Sequence, residues 1–368
     1  MGVSEQHHNL ISQFFAILFV YFFSLAPHLF KIIFSITISI GTKLILLLNR
    51  TMLRYSSFKN ISRVGVTKRL VSTISRFPEE QLFSLKGHSF DFDVYKPSHS
   101  FLPKSLNNPD EPVIFIHDFL SNKLANKVEV NDILKTLETN VYTANLRNHF
   151  SRMKQIEFAK PFDINTLLDD LVEFYKELGF EKVMLIGEGL GGKIAMLASL
   201  LRSKDMNIEK LVVIESLPQD LTATASAELE SWVKGLAFLL NDSKITKFDR
   251  EYLEKCYEIL STKYGIKDNR TLGYLLSNIT NQRVNSKELN KYQYLESRVP
   301  VNHIIESSFL EDYEKWPMSE IKESKFDKPT LFLMGRNSTY YPKALNETLK
   351  MNSNISKYFP KSTLKTFT

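Results

Sequence analysis

The residues best placed to do chemistry lie in one dodecamer, 185–196 (LIGEGLGGKIAM). An apolar strand pattern runs into Gly187-Glu188-Gly189-Leu190-Gly191 and out into a helix of small residues. This is the pattern of a nucleophile elbow, a sharp strand-to-helix turn that presents the side chain at its tip for attack on a carbonyl. Gly187 and Gly191 give the turn room, and Gly192 and Ala195 permit close packing of the helix on a sheet. At the tip, where a serine would carry the attacking oxygen, the chain has Gly189. Glycine has no oxygen, so this turn cannot form an acyl-enzyme.

Other reactive groups are read as ordinary residues. Ser121, Ser151, Ser216 and Ser338 fall in loops that follow strand patterns, but none combines a neighbouring histidine with a strained turn. Cys256 sits in a helical pattern without an adjacent histidine and is expected to be a small buried residue. As the single cysteine it excludes an internal disulfide and a multi-cysteine metal site. His303 is read as a surface or capping residue, and His7 and His8 are too isolated to make a metal site. No cofactor is expected.

The elements that must position these residues alternate in type. Strand patterns occur at 89–95, 112–117, 140–146, 182–187, 210–215, 329–335 and 362–367, and the first alternates polar and apolar residues. Helical patterns occur at 164–178, with Asp163 as N-cap, at 191–202 and at 343–350. Such alternation predicts a parallel sheet covered by helices on both faces. Residues 219–325 differ, being charged and helical without clear strands; helices are expected at 227–240, 250–262 and 271–278. A helical block set late in the alternation reads as a lid, with Trp232, Phe238 and Leu239 in its core.

Four motifs in order carry a resemblance. The elbow is similar to Gly-His-Ser-Met-Gly-Gly-Lys; 117–123 (HDFLSNK) resembles an oxyanion loop of the form His-Gly-x-x-Gly-Ser. Residues 145–151 (NLRNHFS) resemble Asp-x-Arg-Asn-His-Gly-x-Ser, and 335–340 (GRNSTY) resemble Gly-x-x-Ser-x-Tyr. Over 83–368 the chain resembles the α/β-hydrolase superfamily, in particular the fungal mitochondrial alcohol (ethanol) acetyltransferases and abhydrolase-type esterases. That resemblance implies an α/β-hydrolase fold with a mostly parallel sheet. It divides the chain into a core at 79–218 and 326–368 and a helical lid at 219–325. It implies acetyl transfer from acetyl-CoA to an alcohol, with thioesterase and esterase side activity, and hence acyl-CoA and alcohol or ester as small-molecule partners.

The same resemblance assigns positions. Gly189 is the vacated nucleophile position and Glu215 the acid position, while Asp118 and Leu190 belong to the oxyanion hole. Asp118 stands for a glycine and brings negative charge where negative charge should be stabilised. Asn145 stands for an Asp, Phe150 for a Gly and Glu188 for the elbow histidine. Arg147, Asn148 and Lys193 match the family and are expected to support loops around the elbow. His149 belongs to its own motif and is not read as a general base. The family's histidine is expected in a loop after the last strand and a final helix after that, and the chain reaches Thr368 before either. The expectation is an exposed apolar strip and marginal stability, unless a partner or a dimer covers that face. Two alternatives to a working transferase follow: an inactive pseudo-hydrolase that acts as a binding protein, or a truncated product without function.

The charge is unevenly distributed. The 368 residues carry 47 basic and 41 acidic side chains. Residues 1–78 hold nine of the basic and one of the acidic, leaving a nearly neutral body without the basic surface of a nucleic-acid binder. Residues 10–26 form a 17-residue stretch without charge and 32–48 a second, broken by Lys43. From Met52 the composition changes to six Lys/Arg, five Ser and no acid by Phe77. That is the composition of a mitochondrial transit segment, with Met52 where its initiator would stand and 1–51 as an upstream extension. The alternative is a membrane anchor through 10–30, or membrane association through 10–48, with a basic stretch behind it.

Overall fold

The computed structural model describes residues 90–97, 111–149, 162–241, 250–281 and 295–367. All lie within the compact unit formed by Phe83–Thr368. The transit-segment and anchor expectations at 1–78, together with Ser151 and Phe150, fall outside the described residues. No helix among the described residues is long and apolar enough to cross a membrane.

Short runs of β-branched and aliphatic residues make the strands. They are β1 (Phe92–Tyr95), β2 (Val113–Ile116), β3 (Val141–Ala144), β4 (Val183–Glu188), β5 (Ile208–Ile214), β8 (Thr330–Gly335) and β9 (Ser362–Phe367). These form one sheet of order β1-β3-β2-β4-β5-β8-β9. Only β1 runs antiparallel, against β3; the other pairs are parallel. All four residues of β2 and the first five of β4 are buried. Successive side chains point to opposite faces, so both faces of the central sheet are covered.

β1 departs from the expected polar-out alternation. Asp93 is 2% exposed and receives Lys123 Nζ at 3.1 Å, and the same ammonium binds Asp91. A buried ion pair lets a polar side chain face inward, which a period-two pattern cannot reveal.

Helices α1 (Lys127–Leu137), α2 (Ile164–Leu178) and α3 (Leu190–Leu201) follow β2, β3 and β4. Asp163 caps α2 as expected, accepting from Thr166 N at 2.8 Å. Every residue of α3 from Leu190 to Ser199, and Leu200 after it, is buried. It is a wholly enclosed helix, so its small residues set how closely it approaches the sheet.

Between β5 and β8 lie α4 (Ala223–Asn241), α5 (Arg250–Lys263), α6 (Asn269–Leu276), α7 (Val301–Glu306), α8 (Phe309–Glu314) and α9 (Met318–Ile321). This segment also holds an antiparallel pair, β6 (Ile279–Asn281) with β7 (Leu295–Ser297), which corrects the strand-free expectation. Three-residue strands are too short to leave a period-two signature. α10 (Leu345–Tyr358) extends eight residues beyond the expected end at Lys350, because Met351, Ile355 and Tyr358 continue its buried stripe.

Candidate active site

β4 ends at Glu188 and α3 begins at Leu190, leaving Gly189 alone at the turn. Gly189 has φ 52 and ψ −114, a conformation that costs any residue with a Cβ roughly 1–3 kcal/mol. The turn is pinned by Gly189 N donating to Ile214 O at 2.9 Å and Lys193 N to Gly189 O at 3.0 Å. Behind it Gly191 touches the β2 terminus: a Cβ there would lie 2.2 Å from Ile116 O.

Across from the tip is Asp118. Its Oδ1 accepts hydrogen bonds from Leu190 N and Phe119 N, both at 2.7 Å. An elbow of this kind forms its oxyanion hole from the N–H after the tip and an N–H in the loop behind the neighbouring strand. Here one carboxylate oxygen holds both donors. The same carboxylate fills the volume a tip side chain would need: a Cβ on residue 189 would meet Asp118 Oδ1 at 1.9 Å and Cγ at 2.2 Å. Desolvation pushes the Asp118 carboxyl up to about 6, against the downward pull of its two N–H donors.

The loop carrying Asp118 is tied down on several sides. His117 Nε2 accepts from Leu146 N at 3.0 Å, so its Nδ1 bears the proton and donates to Asp118 O at 2.8 Å. Burial and the neighbouring His149 ring, 5.3 Å away, push His117 down to about 3, so it stays neutral. Lys123 N donates to Asn145 Oδ1 at 2.9 Å, joining the HDFLSNK and NLRNHFS segments. From the insertion, Tyr274 Oη donates to Phe119 O and Asn278 Nδ2 to Leu120 O at 2.7 Å.

Two more carboxylates converge here. Glu215 follows β5 with φ 51, a left-handed conformation uncommon for glutamate. Its Oε1 accepts from Gly335 N at 2.7 Å, and burial raises its carboxyl above the ordinary range. Glu188 Oε2 accepts from Asn126 Nδ2 at 2.6 Å. Burial first, then Asp118, push Glu188 up to about 8.

The Glu188 shift has a measurable consequence. Folded, this group holds its proton up to about pH 8; unfolded, it ionises near the ordinary glutamate value of 4.5. Between those values the folded state binds the extra proton, so Glu188 makes stability fall as pH rises from about 4.5 to 8. Glu188→Gln, which preserves an oxygen acceptor for Asn126, is expected to match the parent at pH 4.5. At pH 8 it is expected to be the more stable by up to about 4 kcal/mol, at about 1.4 kcal/mol per unit. Melts at both pH values check this; a parent-to-variant difference independent of pH would refute it.

Lys193, one turn into α3, is 5% exposed, and its Nζ donates to the carbonyls of Asp312, Tyr313 and Lys315 at 2.5–2.7 Å. It closes the C-terminal end of α8, where carbonyls lack helical partners. Burial pulls its ammonium down to about 7. Arg147 meets Asp170 of α2 through Nε at 2.7 Å and Nη2 at 2.5 Å.

The structure thus brings Gly189, Leu190, Asp118 and Glu215 together, with Ser338 bonded to Glu215. Cys256 stays apart, fully buried on α5 beside Tyr252. His303 lies half-buried on α7, with its ring 6.5 Å from Phe162. Tyr274 and Tyr313, both from the insertion and both within the electrostatic reach of Asp118, are site residues that sequence reasoning missed. No local pattern marks them, since only folding carries α6 and α8 to the elbow. A pocket beside the ends of β2 and β3 is lined by Phe90, Ile114, Leu146, Leu167, Asp170 and Phe174 among others, and includes no elbow residue.

A parallel sheet of this order, with a strained tip after β4 and an N–H pair aimed across it, defines an α/β-hydrolase fold. Among solved structures, a marine microorganism esterase superimposes with a TM-score of 0.56 at 21% identity, covering 76% of this chain and 91% of its own. No protein-family profile matches the chain. Ethanol acetyltransferase 1 of Kluyveromyces marxianus is 32% identical over 275 residues, 73% of this chain and 71% of the relative. The same-named proteins of Wickerhamomyces ciferrii and Kluyveromyces lactis are each 28% identical, over 298 and 313 residues. Each match covers 80% of this chain, and 72% and 81% of the respective relative. The chain belongs to the ethanol acetyltransferase family of α/β-hydrolases.

Proposed function

We propose that this chain is a non-acylating member of its family: it takes a small-molecule ligand at the elbow without a covalent step. The names of the relatives suggest acyl-CoA, an alcohol or an ester as the ligand class. One observation carries the reading: Asp118 Oδ1 sits on both oxyanion donors, opposite a tip residue that has no side chain. A thioester carbonyl entering the elbow would find its donors taken, a carboxylate facing it and no attacking oxygen. Residue Glu215 keeps the acid position, where it would orient a histidine in a working relative; here its carboxylate is engaged by Gly335 and Ser338.

A fluorophosphonate probe tests the reading directly. The expected result is no covalent labelling of the purified chain, together with saturable binding of a CoA ester. Labelling at any elbow-proximal serine overturns it, and so does acetate-ester formation at a rate above the uncatalysed background. Residence in the mitochondrion, through the basic segment at 52–78, is part of the same proposal; fractionation of cells expressing the tagged chain checks it, and recovery outside mitochondria refutes it.

A further inference from the structure

Asp118 spends only one oxygen on the oxyanion donors. Its Oδ2 accepts no hydrogen bond from any described residue, and it lies 2.6 Å from where a Cβ of residue 189 would be, directly over the elbow tip. Tyr313 is 1% exposed and Tyr340 half-buried; their hydroxyls face one another next to Asp118. Neither phenol oxygen has a hydrogen-bond partner other than the facing phenol among the described residues. A buried hydroxyl short of partners costs roughly 1–3 kcal/mol, and its oxygen is free to accept from a bound donor.

The charge that bears on this spot is the Asp118 carboxylate, with Glu215 within its electrostatic reach; Glu188 keeps its proton up to about pH 8 and adds none below that. Lys193 is not among the groups that act on Asp118; the charges near its ammonium are Asp220, Asp312 and Glu314. The surroundings are aromatic: the Phe119 ring lies 5.8 Å from Tyr313, and Trp232 packs edge-on to Tyr274 at 6.2 Å. Among the described residues no group of three acidic, His or Cys side chains is placed to hold a metal ion.

We propose that the elbow binds a small organic cation, a primary ammonium, whose N–H groups donate to Asp118 Oδ2 and to the phenol oxygens of Tyr313 and Tyr340. An ammonium brings three donors to three acceptors, whereas an alcohol brings one. It also supplies the positive charge that the carboxylates lack, and aromatic walls favour a cation over a neutral group of the same size. The inference rests on the reading that the elbow does no covalent chemistry, since it places the ligand over the tip itself.

Calorimetry of the full chain with n-butylammonium and, separately, with 1-butanol tests it. Saturable ammonium binding at least tenfold tighter than that of the alcohol is expected. Asp118→Asn, which keeps the oxyanion acceptor and removes the charge, should weaken ammonium binding tenfold or more; Tyr313→Phe should weaken it about threefold. Equal affinity for the two ligands, no ammonium binding at millimolar concentration, or an Asp118→Asn variant that binds as the parent does would each overturn the proposal. The comparison of the two ligands on the parent chain needs no variant to fold. Covalent labelling by the fluorophosphonate bears on the non-acylating reading alone, so the two failures are distinguishable.

Discussion

Gly189→Ala lowers the stability of the folded chain by about 4–9 kcal/mol, and adding Asp118→Gly is expected to cost little more. The first effect has two sources. An alanine at φ 52 and ψ −114 is strained by roughly 1–3 kcal/mol. Its Cβ would also lie 1.9 Å from Asp118 Oδ1, so the carboxylate must leave the two N–H groups it now accepts from, each hydrogen bond being worth roughly 1.5–3 kcal/mol because the acceptor is charged. Removing the carboxylate by Asp118→Gly loses the same two hydrogen bonds but abolishes the collision, so the double variant carries one loss of the pair plus the backbone strain, and the two single effects do not add. The double-mutant cycle by urea unfolding is therefore expected to show a coupling of at least about 2 kcal/mol. Additive single effects, within about 0.5 kcal/mol, would mean that residues 118 and 189 do not share one volume. The coupling bears directly on function: a serine at the tip and an aspartate at 118 exclude each other, so Gly189→Ser alone is not expected to produce a fluorophosphonate-reactive protein.

Lys193→Met is expected to cost about 3 kcal/mol, a drop in melting temperature of roughly 6–12 °C for a core of this size. The methionine keeps the stem but leaves the carbonyls of Asp312, Tyr313 and Lys315 without their shared donor in a buried place. The damage should be local. Amide exchange over Phe309–Glu314 is expected to accelerate well before that of β4 and β5, because this ammonium ties the C-terminal end of α8 to the elbow helix. Unchanged exchange in α8, with a melting temperature within about 1 °C of the parent, would assign Lys193 no such role. Tyr313 lies in α8, so the same variant is also expected to blunt the ammonium binding proposed for the elbow.

Much of the core was legible because its signals are local. The buried runs at 113–116 and 183–187 and the amphipathic stripe of 164–178 with its Asp163 cap each reflect how a segment meets its own neighbours. The elbow was legible for the same reason: Gly187, Gly189 and Gly191 within five residues are explained by backbone crowding at one turn. The strands β6 and β7 were not, being three residues each and stabilised only by pairing with one another. Nor was the inward Asp93, which depends on Lys123 from a loop 30 residues away.

The sequence alone determined that the tip of the elbow is a glycine, that an acidic residue stands in the adjoining loop, and that both sit in an α/β-hydrolase scaffold. It could do so because composition and spacing along the chain are enough to specify a strand, a tight turn and a helix. Only the tertiary structure decided that Asp118 turns into the space over Gly189 and takes both N–H donors, and that phenols from α8 and from the loop after β8 come within its electrostatic reach. Those contacts join segments far apart in the chain, and their geometry depends on how the insertion packs against the sheet, which no local pattern encodes.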